Sequence, residues 1–166
     1  KNIRRAMALM AAEFYGRPAD QMTLLAITGT AGKTTTSYLA RSVFAAAGKK
    51  VGLLGTINYW VMDKCYPAPN TTPESLDLQR LLAEMLEAGA DTVLMEASSH
   101  GIELERVAGI DFKAAAFTNL TGDHLDYHGS MENYLAAKRK LFEHLAGNAT
   151  AVLNRDDGAG DALAAL

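Results

Sequence analysis

Residues 24–36 read LLAITGTAGKTTT. Leu24, Leu25, Ala26 and Ile27 form a short, wholly apolar run of the kind buried in the middle of a sheet. Thr28 to Thr34 follow as a glycine-bearing loop, and a helix is expected from about Thr34 to Ala47, ended by Gly48. Leu39, Val43 and Ala46 are expected on its inward side. A buried strand, a glycine-rich turn and an amphipathic helix are the context in which a phosphate-binding loop works. Glycines let backbone N–H groups curl around phosphate oxygens, and the helix N-terminus adds its partial positive charge. Lys33 can then bridge the outer phosphates, and the Thr34 hydroxyl can ligate Mg²⁺. The strict GxxxxGK[ST] form is not met, because Ile27 stands at the first glycine position.

Outward from this loop, short β-rich runs alternate with helical stretches. The alternation predicts an α/β domain, a P-loop-containing and mainly parallel sheet flanked by helices. Residues 3–15 read as a helix with Met7, Met10, Ala11 and Phe14 on one stripe, broken at 16–19. A strand is expected at 50–56, and β-formers around Met62-Asp63-Lys64 suggest a small hairpin. Thr72 is expected to cap a helix with Pro73 in its first turn and Glu74 just inside. That helix carries Leu78, Leu81, Leu82, Met85 and Leu86 on one face and stops at Gly89. A strand runs from Asp91 to Met95 and ends at Glu96. A helical turn at 103–107, a strand at 113–118, a helix at 131–145 and a strand at 150–153 complete the pattern.

The 166 residues suit one hydrophobic core. Apolar residues make up 49% and charged residues 21%, which argues against disorder. A net charge of −3 gives no general attraction to nucleic acid or to an anionic membrane. No apolar run approaches the roughly 20 residues that span a bilayer. Cys65 is the only cysteine, so no internal disulfide can form. The chain starts at Lys1 without a signal-peptide core. These features fit a cut piece of a longer cytoplasmic protein, and a monomer is expected.

Chemistry-bearing residues gather after the expected strands, where open α/β sheets bind ligands. Glu96 sits at a strand tip, the place from which a carboxylate can hold Mg²⁺ beside a phosphate loop. His100 follows in EASSHG (96–101), and His124 and His128 lie in NLTGDHLDYHG (119–129). The i, i+4 histidine pair could mark a zinc site, but Gly122 and Gly129 flank the segment and disfavour the helix such a pair needs. On the residues alone, Lys138, Arg139 and Lys140 read as a solvated basic helix face.

Five segments together resemble the central domain of the Mur ligases of bacterial cell-wall synthesis: TGTAGKTTT (28–36), NTTPESLDLQ (70–79), MEASSHGIELERV (95–107), FTNLTGDHLDYHG (117–129) and NYLAAKRKLF (133–142). NTTPES with SSHG points to the branch that extends the UDP-MurNAc-dipeptide to a tripeptide. The phosphate loop alone would also fit folylpolyglutamate and cyanophycin synthetases. The resemblance implies that Gly29, Thr30, Ala31, Gly32, Lys33, Thr34 and Thr35 hold the ATP phosphates. It implies one Mg²⁺ on Thr34 and Glu96, and a second helped by His124 and by Lys138 as an N-carboxylated side chain. Asn70, Thr71, Thr72, Ser98 and Arg106 match substrate-binding positions. Lys33, Glu96, His124 and Lys138 are the implied catalytic set.

The implied reaction is ATP-dependent amide formation through an acyl phosphate, with UDP-MurNAc-dipeptide and an amino acid as substrates. Residues 1–22 then read as a linker helix from a further N-terminal domain, and 23–166 as the ATP-binding domain with a shortened C-terminal end. The chain departs from the family pattern at Ala31, where Asn is usual, and at Gly122, often a larger polar residue. Two readings from other classes stand beside this one. A P-loop NTPase switch would need a guanine-reading Asn-Lys-x-Asp motif, which 119–122 do not supply. A metal-dependent hydrolase would be built on His124, Asp126 and His128.

Overall fold

The computed structural model describes residues 2–166. Its centre is a seven-stranded sheet of order β4-β3-β2-β5-β1-β6-β7. Strands β1 (Thr23–Thr28), β2 (Val51–Leu54), β5 (Thr92–Glu96), β6 (Ala114–Phe117) and β7 (Thr150–Leu153) are parallel. The hairpin β3 (Asn58–Val61) and β4 (Lys64–Pro67) adds two antiparallel strands at one edge. Its turn falls at Met62, which adopts a left-handed backbone with φ 54°. The sheet is therefore mixed, with its parallel part in the middle.

Strand alternation divides the core between the two faces. Leu24, Ala26, Val93 and Met95 point into the larger cluster, joined by Leu78, Leu82 and Met85 of α3 (Ser75–Glu87) and by Leu141 and Phe142 of α6 (Met131–Glu143). Ile27, Leu53 and Leu94 point the other way, toward Tyr38, Ala40 and Phe44 of α2 (Lys33–Ala46). The apolar face expected for α3 is thus the one it buries, and Gly89 ends that helix with φ 84°.

Four sequence expectations are corrected. Leu39 and Val43 of α2 are 63% and 68% exposed, not inward. The phase of α2 is fixed at its start, where Thr34 and Ser37 face the strand tips, and that turns positions 39 and 43 to the far side. Thr72 caps no helix. α3 begins three residues later, at Ser75, and the fully buried Thr72 hydroxyl donates instead to the Glu96 carbonyl at 2.9 Å. The helical turn expected at 103–107 is α4 (Ser99–Glu103), placed earlier because the Ser98 side chain accepts the Gly101 N–H at 3.1 Å. A short helix α5 (Leu125–His128) forms despite the flanking glycines, and His124 precedes it with φ 54°.

On α1 (Ile3–Phe14) the Met7, Met10 and Phe14 part of the stripe faces outward. Ala8, Ala11 and Ala12 are buried there, and α1 packs on α3. Alanines let two helix backbones approach closely, so the small side of α1 is the one that docks. A 3-10 turn at Pro18–Gln21 leads from α1 into β1. The chain closes with α7 (Gly158–Ala164), capped by Asp157, which also accepts the Leu120 N–H at 2.8 Å. No helix among the described residues is long and apolar enough to cross a membrane.

Candidate functional site

The loop 29–32 leaves β1, the strand between β5 and β6, and runs into α2. This puts the tip of β5, the loop after β2 and the loop after β6 around the start of α2. Gly32 takes φ 85° and serves as the residue before the helix, and the N–H groups of the first turn have no helical acceptors. Lys33 folds over its own loop and donates to the Gly29 and Thr30 carbonyls, both at 2.9 Å. Burial lowers its pKa against the raising effect of the Glu96 and Asp123 charges.

Glu96 is the centre of the next layer. It is fully buried at the end of β5. Its carboxylate accepts from Thr34 Oγ1 at 3.0 Å, Ser37 Oγ at 3.3 Å, Thr56 Oγ1 at 2.9 Å and the Thr56 N–H at 3.2 Å. A Cβ on Gly55 would collide with this carboxylate, so the chain passes here only as glycine. Among the described residues, no Lys or Arg forms an ion pair with Glu96. Four hydrogen bonds from neutral groups thus offset the cost of burying this carboxylate. Hydroxyl and carboxylate oxygens are also the donor set that a hard divalent cation takes. The residues present therefore fit Mg²⁺ at Thr34 and Glu96.

Thr56 extends the cluster outward by hydrogen bonding Thr71 Oγ1 at 3.0 Å. Thr72 Oγ1 accepts the Ser98 N–H at 2.9 Å and lies 3.1 Å from Ser98 Oγ. Arg106, whose side chain is 13% exposed, donates to the Thr72 carbonyl at 2.9 Å and pairs with Glu74 at 2.6 Å. The Asn70 carbonyl accepts from the Tyr59 hydroxyl. Thr71, Thr72, Ser98 and Arg106 thus join the Glu96 group through Thr56 and Thr72, whereas Asn70 is bonded to Tyr59 beside them. Arg106 already holds a carboxylate, so its guanidinium is shaped for one.

Lys138 is not on a solvated face. It is 1% exposed, donates to the Gly29 carbonyl at 2.9 Å and stands 4.3 Å from the Tyr134 ring centre. Burial pushes its pKa down to about 7, and the Lys33 charge pushes the same way. Arg139 and Lys140 do point outward, to Glu143 and Glu103 at 2.7 Å each. The helix that reads as uniformly basic therefore has one lysine turned into the site.

The three histidines come together, with His100 ring centres 5.0 Å from His124 and 5.5 Å from His128. They do not form a zinc site. His128 is buried and shares a 3.0 Å hydrogen bond with Ser99 Oγ, whereas His124 is half exposed. No three His, Cys, Asp or Glu residues among those described converge on a metal position. Burial, ahead of neighbouring charge, lowers the pKa of both His100 and His128. Gly122 has open space around it, so nothing in the packing demands glycine there.

Several residues at the site carried no clear sequence signal. Thr56 follows β2 and Asn119 follows β6, which is the same position past a strand that drew notice to Glu96. Ser37 lies one helical turn after Thr34, and Tyr134 one turn before Lys138. The last two could have been found by reading helix faces from the functional residues instead of from the apolar ones.

Residues 27–166 match the family model described as the Mur ligase middle domain. The chain is similar to the UDP-N-acetylmuramoyl-L-alanyl-D-glutamate--2,6-diaminopimelate ligase of Solibacter usitatus, 53% identical over 156 residues, covering 93% of this chain and 32% of that protein. The ligase of the same description from Geobacter metallireducens is 52% identical over 167 residues, covering 97% of this chain and 33% of that protein. A solved structure of a UDP-N-acetylmuramoyl-L-alanyl-D-glutamate--2,6-diaminopimelate ligase superposes with a TM-score of 0.84 at 32% identity, covering 99% of this chain and 33% of that one. Mycobacterium tuberculosis folylpolyglutamate synthase shares the fold, with a TM-score of 0.75 at 14% identity over 97% of this chain and 44% of that one. The chain spans about one third of the length of the curated relatives it matches.

Proposed function

The chain belongs to the Mur ligase family, as its middle domain, and we propose that it is the ATP-binding third of a ligase that joins 2,6-diaminopimelate to UDP-MurNAc-L-Ala-D-Glu. The carboxylate of the dipeptide takes the γ-phosphoryl group of ATP to give an acyl phosphate. The amine of the amino acid attacks that carbonyl, and phosphate leaves. Choice of the amino acid as diaminopimelate is supported by the diaminopimelate ligases that share more than 50% identity with this chain.

Glu96 is the observation that carries this reading: a buried, unpaired carboxylate bonded to the hydroxyl that opens the phosphate-loop helix. Carboxylate attack on ATP brings two anions together, so the main demand on the protein is neutralisation and alignment. Bound at Thr34 and Glu96, Mg²⁺ would supply much of that neutralisation. Lys33 turns from its loop carbonyls to the outer phosphates. Arg106 exchanges Glu74 for the substrate carboxylate, and Asn70, Thr71, Thr72 and Ser98 fix the acceptor in line. His124 stands at the exposed rim for a second cation.

Lys138 fits the N-carboxylated role. Only the neutral amine has the lone pair that attacks CO₂, and a buried lysine with a pKa near 7 is substantially neutral at physiological pH. The carbamate would present an anionic oxygen to a hard cation. Bound to the Gly29 carbonyl, the free ammonium form instead closes the gap between α6 and the loop.

The test is a calorimetric titration of the chain with MgATP, MgGTP and ATP in chelator. Saturable binding of MgATP, weakened by about ten-fold or more in Lys33→Met, is expected. A preference for GTP, or binding indifferent to Lys33, contradicts the proposal.

A further inference from the structure

The phosphate loop lacks the first glycine of the usual motif and carries Ala31 near its apex. Its shape is set from outside. The two residues after β6, Thr118 and Asn119, grip three successive loop residues. A Cβ on Gly29, where φ is 141°, would overlap the Thr118 hydroxyl and press on the Asn119 backbone. The Thr30 N–H donates to the Asn119 carbonyl at 2.9 Å. The Ala31 N–H donates to Asn119 Oδ1 at 2.9 Å, while the Ala31 carbonyl accepts from Asn119 Nδ2 at 3.1 Å and from Thr118 Oγ1 at 2.7 Å. Thr30 Oγ1 is held in turn by the Thr121 N–H at 3.0 Å and by Tyr134 at 3.2 Å.

This bonding splits the loop in two. The N–H groups of Thr30 and Ala31 are already spent on Asn119. Those of Gly32, Lys33, Thr34 and Thr35 lie in the first turn of α2, where a helix has no acceptors of its own. We propose that Thr118 and Asn119 are positioning residues that fix Gly29–Ala31 as a rigid wall, leaving Gly32–Thr35 as the N–H groups that take the phosphate. The physical gain is preorganisation. Loop residues held before the ligand arrives lose less freedom when it binds. The carboxamide beside the loop apex thus comes from a neighbouring strand and not from the loop itself.

The wall is a statement about the free chain, whereas its use in phosphate binding rests on the nucleotide reading above. Amide hydrogen exchange of the ¹⁵N-labelled chain, with and without MgADP, separates the two. In the wild type, the Thr30 and Ala31 amides are expected to be protected before and after MgADP, while the resonances of Gly32–Thr35 shift on binding. Asn119→Ala is expected to lose protection at Ala31 and to bind MgADP about ten-fold more weakly. Asn119→Asp keeps the acceptor and is expected to restore Ala31 protection, a rescue that general loosening would not produce. An unprotected Ala31 in the wild type, or an Asn119→Ala chain that binds MgADP as tightly as wild type, overturns the proposal. If Asn119→Ala does not fold, Thr118→Val carries the comparison, with weaker binding expected and unchanged binding overturning it. A wild-type chain that ignores MgADP sinks the nucleotide reading and the second half of the proposal, and Ala31 protection then decides the first half.

Discussion

Lys33 and Lys138, 105 positions apart in a chain of 166 residues, donate to one acceptor, the Gly29 carbonyl oxygen, at 2.9 Å each. Burial and the neighbouring Lys33 charge both favour the neutral form of Lys138. That arrangement yields a pH signature.

The folded-state pKa of Lys138 lies near 7, below the usual lysine value of 10.5. Between those values the unfolded chain binds the proton and the folded chain does not, so stability rises with pH across that window. Below about pH 7 both states are protonated and the burial cost is present in full. Urea unfolding in CO₂-free buffer should show wild-type stability rising from pH 7.5 to 9.5 with up to about 1.4 kcal/mol more per pH unit than Lys138→Met. Parallel curves for the two chains would remove the depressed pKa from the account.

Carboxylation follows from the same neutrality. In ¹³C-bicarbonate the chain should show a carbamate carbonyl resonance that is absent from Lys138→Met and grows between pH 7 and 8.5. Lys33→Met should keep the signal, because the Lys33 charge is not the acceptor of CO₂. A signal that survives in Lys138→Met would place the carbamate elsewhere.

Thr72 is predicted to be the costliest hydroxyl to remove. Thr72→Val leaves the Ser98 N–H and the Glu96 carbonyl without a buried partner and should destabilise the chain by about 2–3 kcal/mol. Thr71→Val loses only its bond to Thr56 and should cost under about 1 kcal/mol. Thermal unfolding of both variants gives the comparison, and equal losses would contradict the strut assigned to Thr72.

Glu96→Gln keeps the shape and removes the charge. The amide sets an NH2 donor against groups that now donate to the carboxylate, so the free chain should lose about 1–3 kcal/mol. Its affinity for MgATP should fall to the value measured in chelator. A variant whose MgATP binding stays Mg²⁺-dependent would show that Glu96 does not hold the metal.

The strand–loop–helix around residue 29 was legible because its signals are local: an apolar run, glycines at the turn and Lys-Thr at the helix start. The mainly parallel sheet and the Glu96 strand tip followed from the same alternation, whereas the strand order did not. What stayed hidden depends on direction. Apolar periodicity put Leu39 and Val43 inside, but α2 is phased by Thr34 and Ser37 reaching Glu96. Lys138 looked solvated among basic neighbours, because no letter tells which face of α6 meets the Gly29 carbonyl. Thr72 looked like a cap until its hydroxyl was seen to bridge β5 and α4, residues 24 and 26 positions away.

The most direct test is a crystal structure of the chain with a non-hydrolysable ATP analogue and Mn²⁺ in place of Mg²⁺, located by anomalous scattering. The account predicts a metal touching Thr34 Oγ1 and the Glu96 carboxylate, with phosphate oxygens on the N–H groups of Gly32–Thr35 and Lys33 released from Gly29. A metal seated on His124, Asp126 and His128, or a nucleotide bound away from the 29–35 loop, would contradict it.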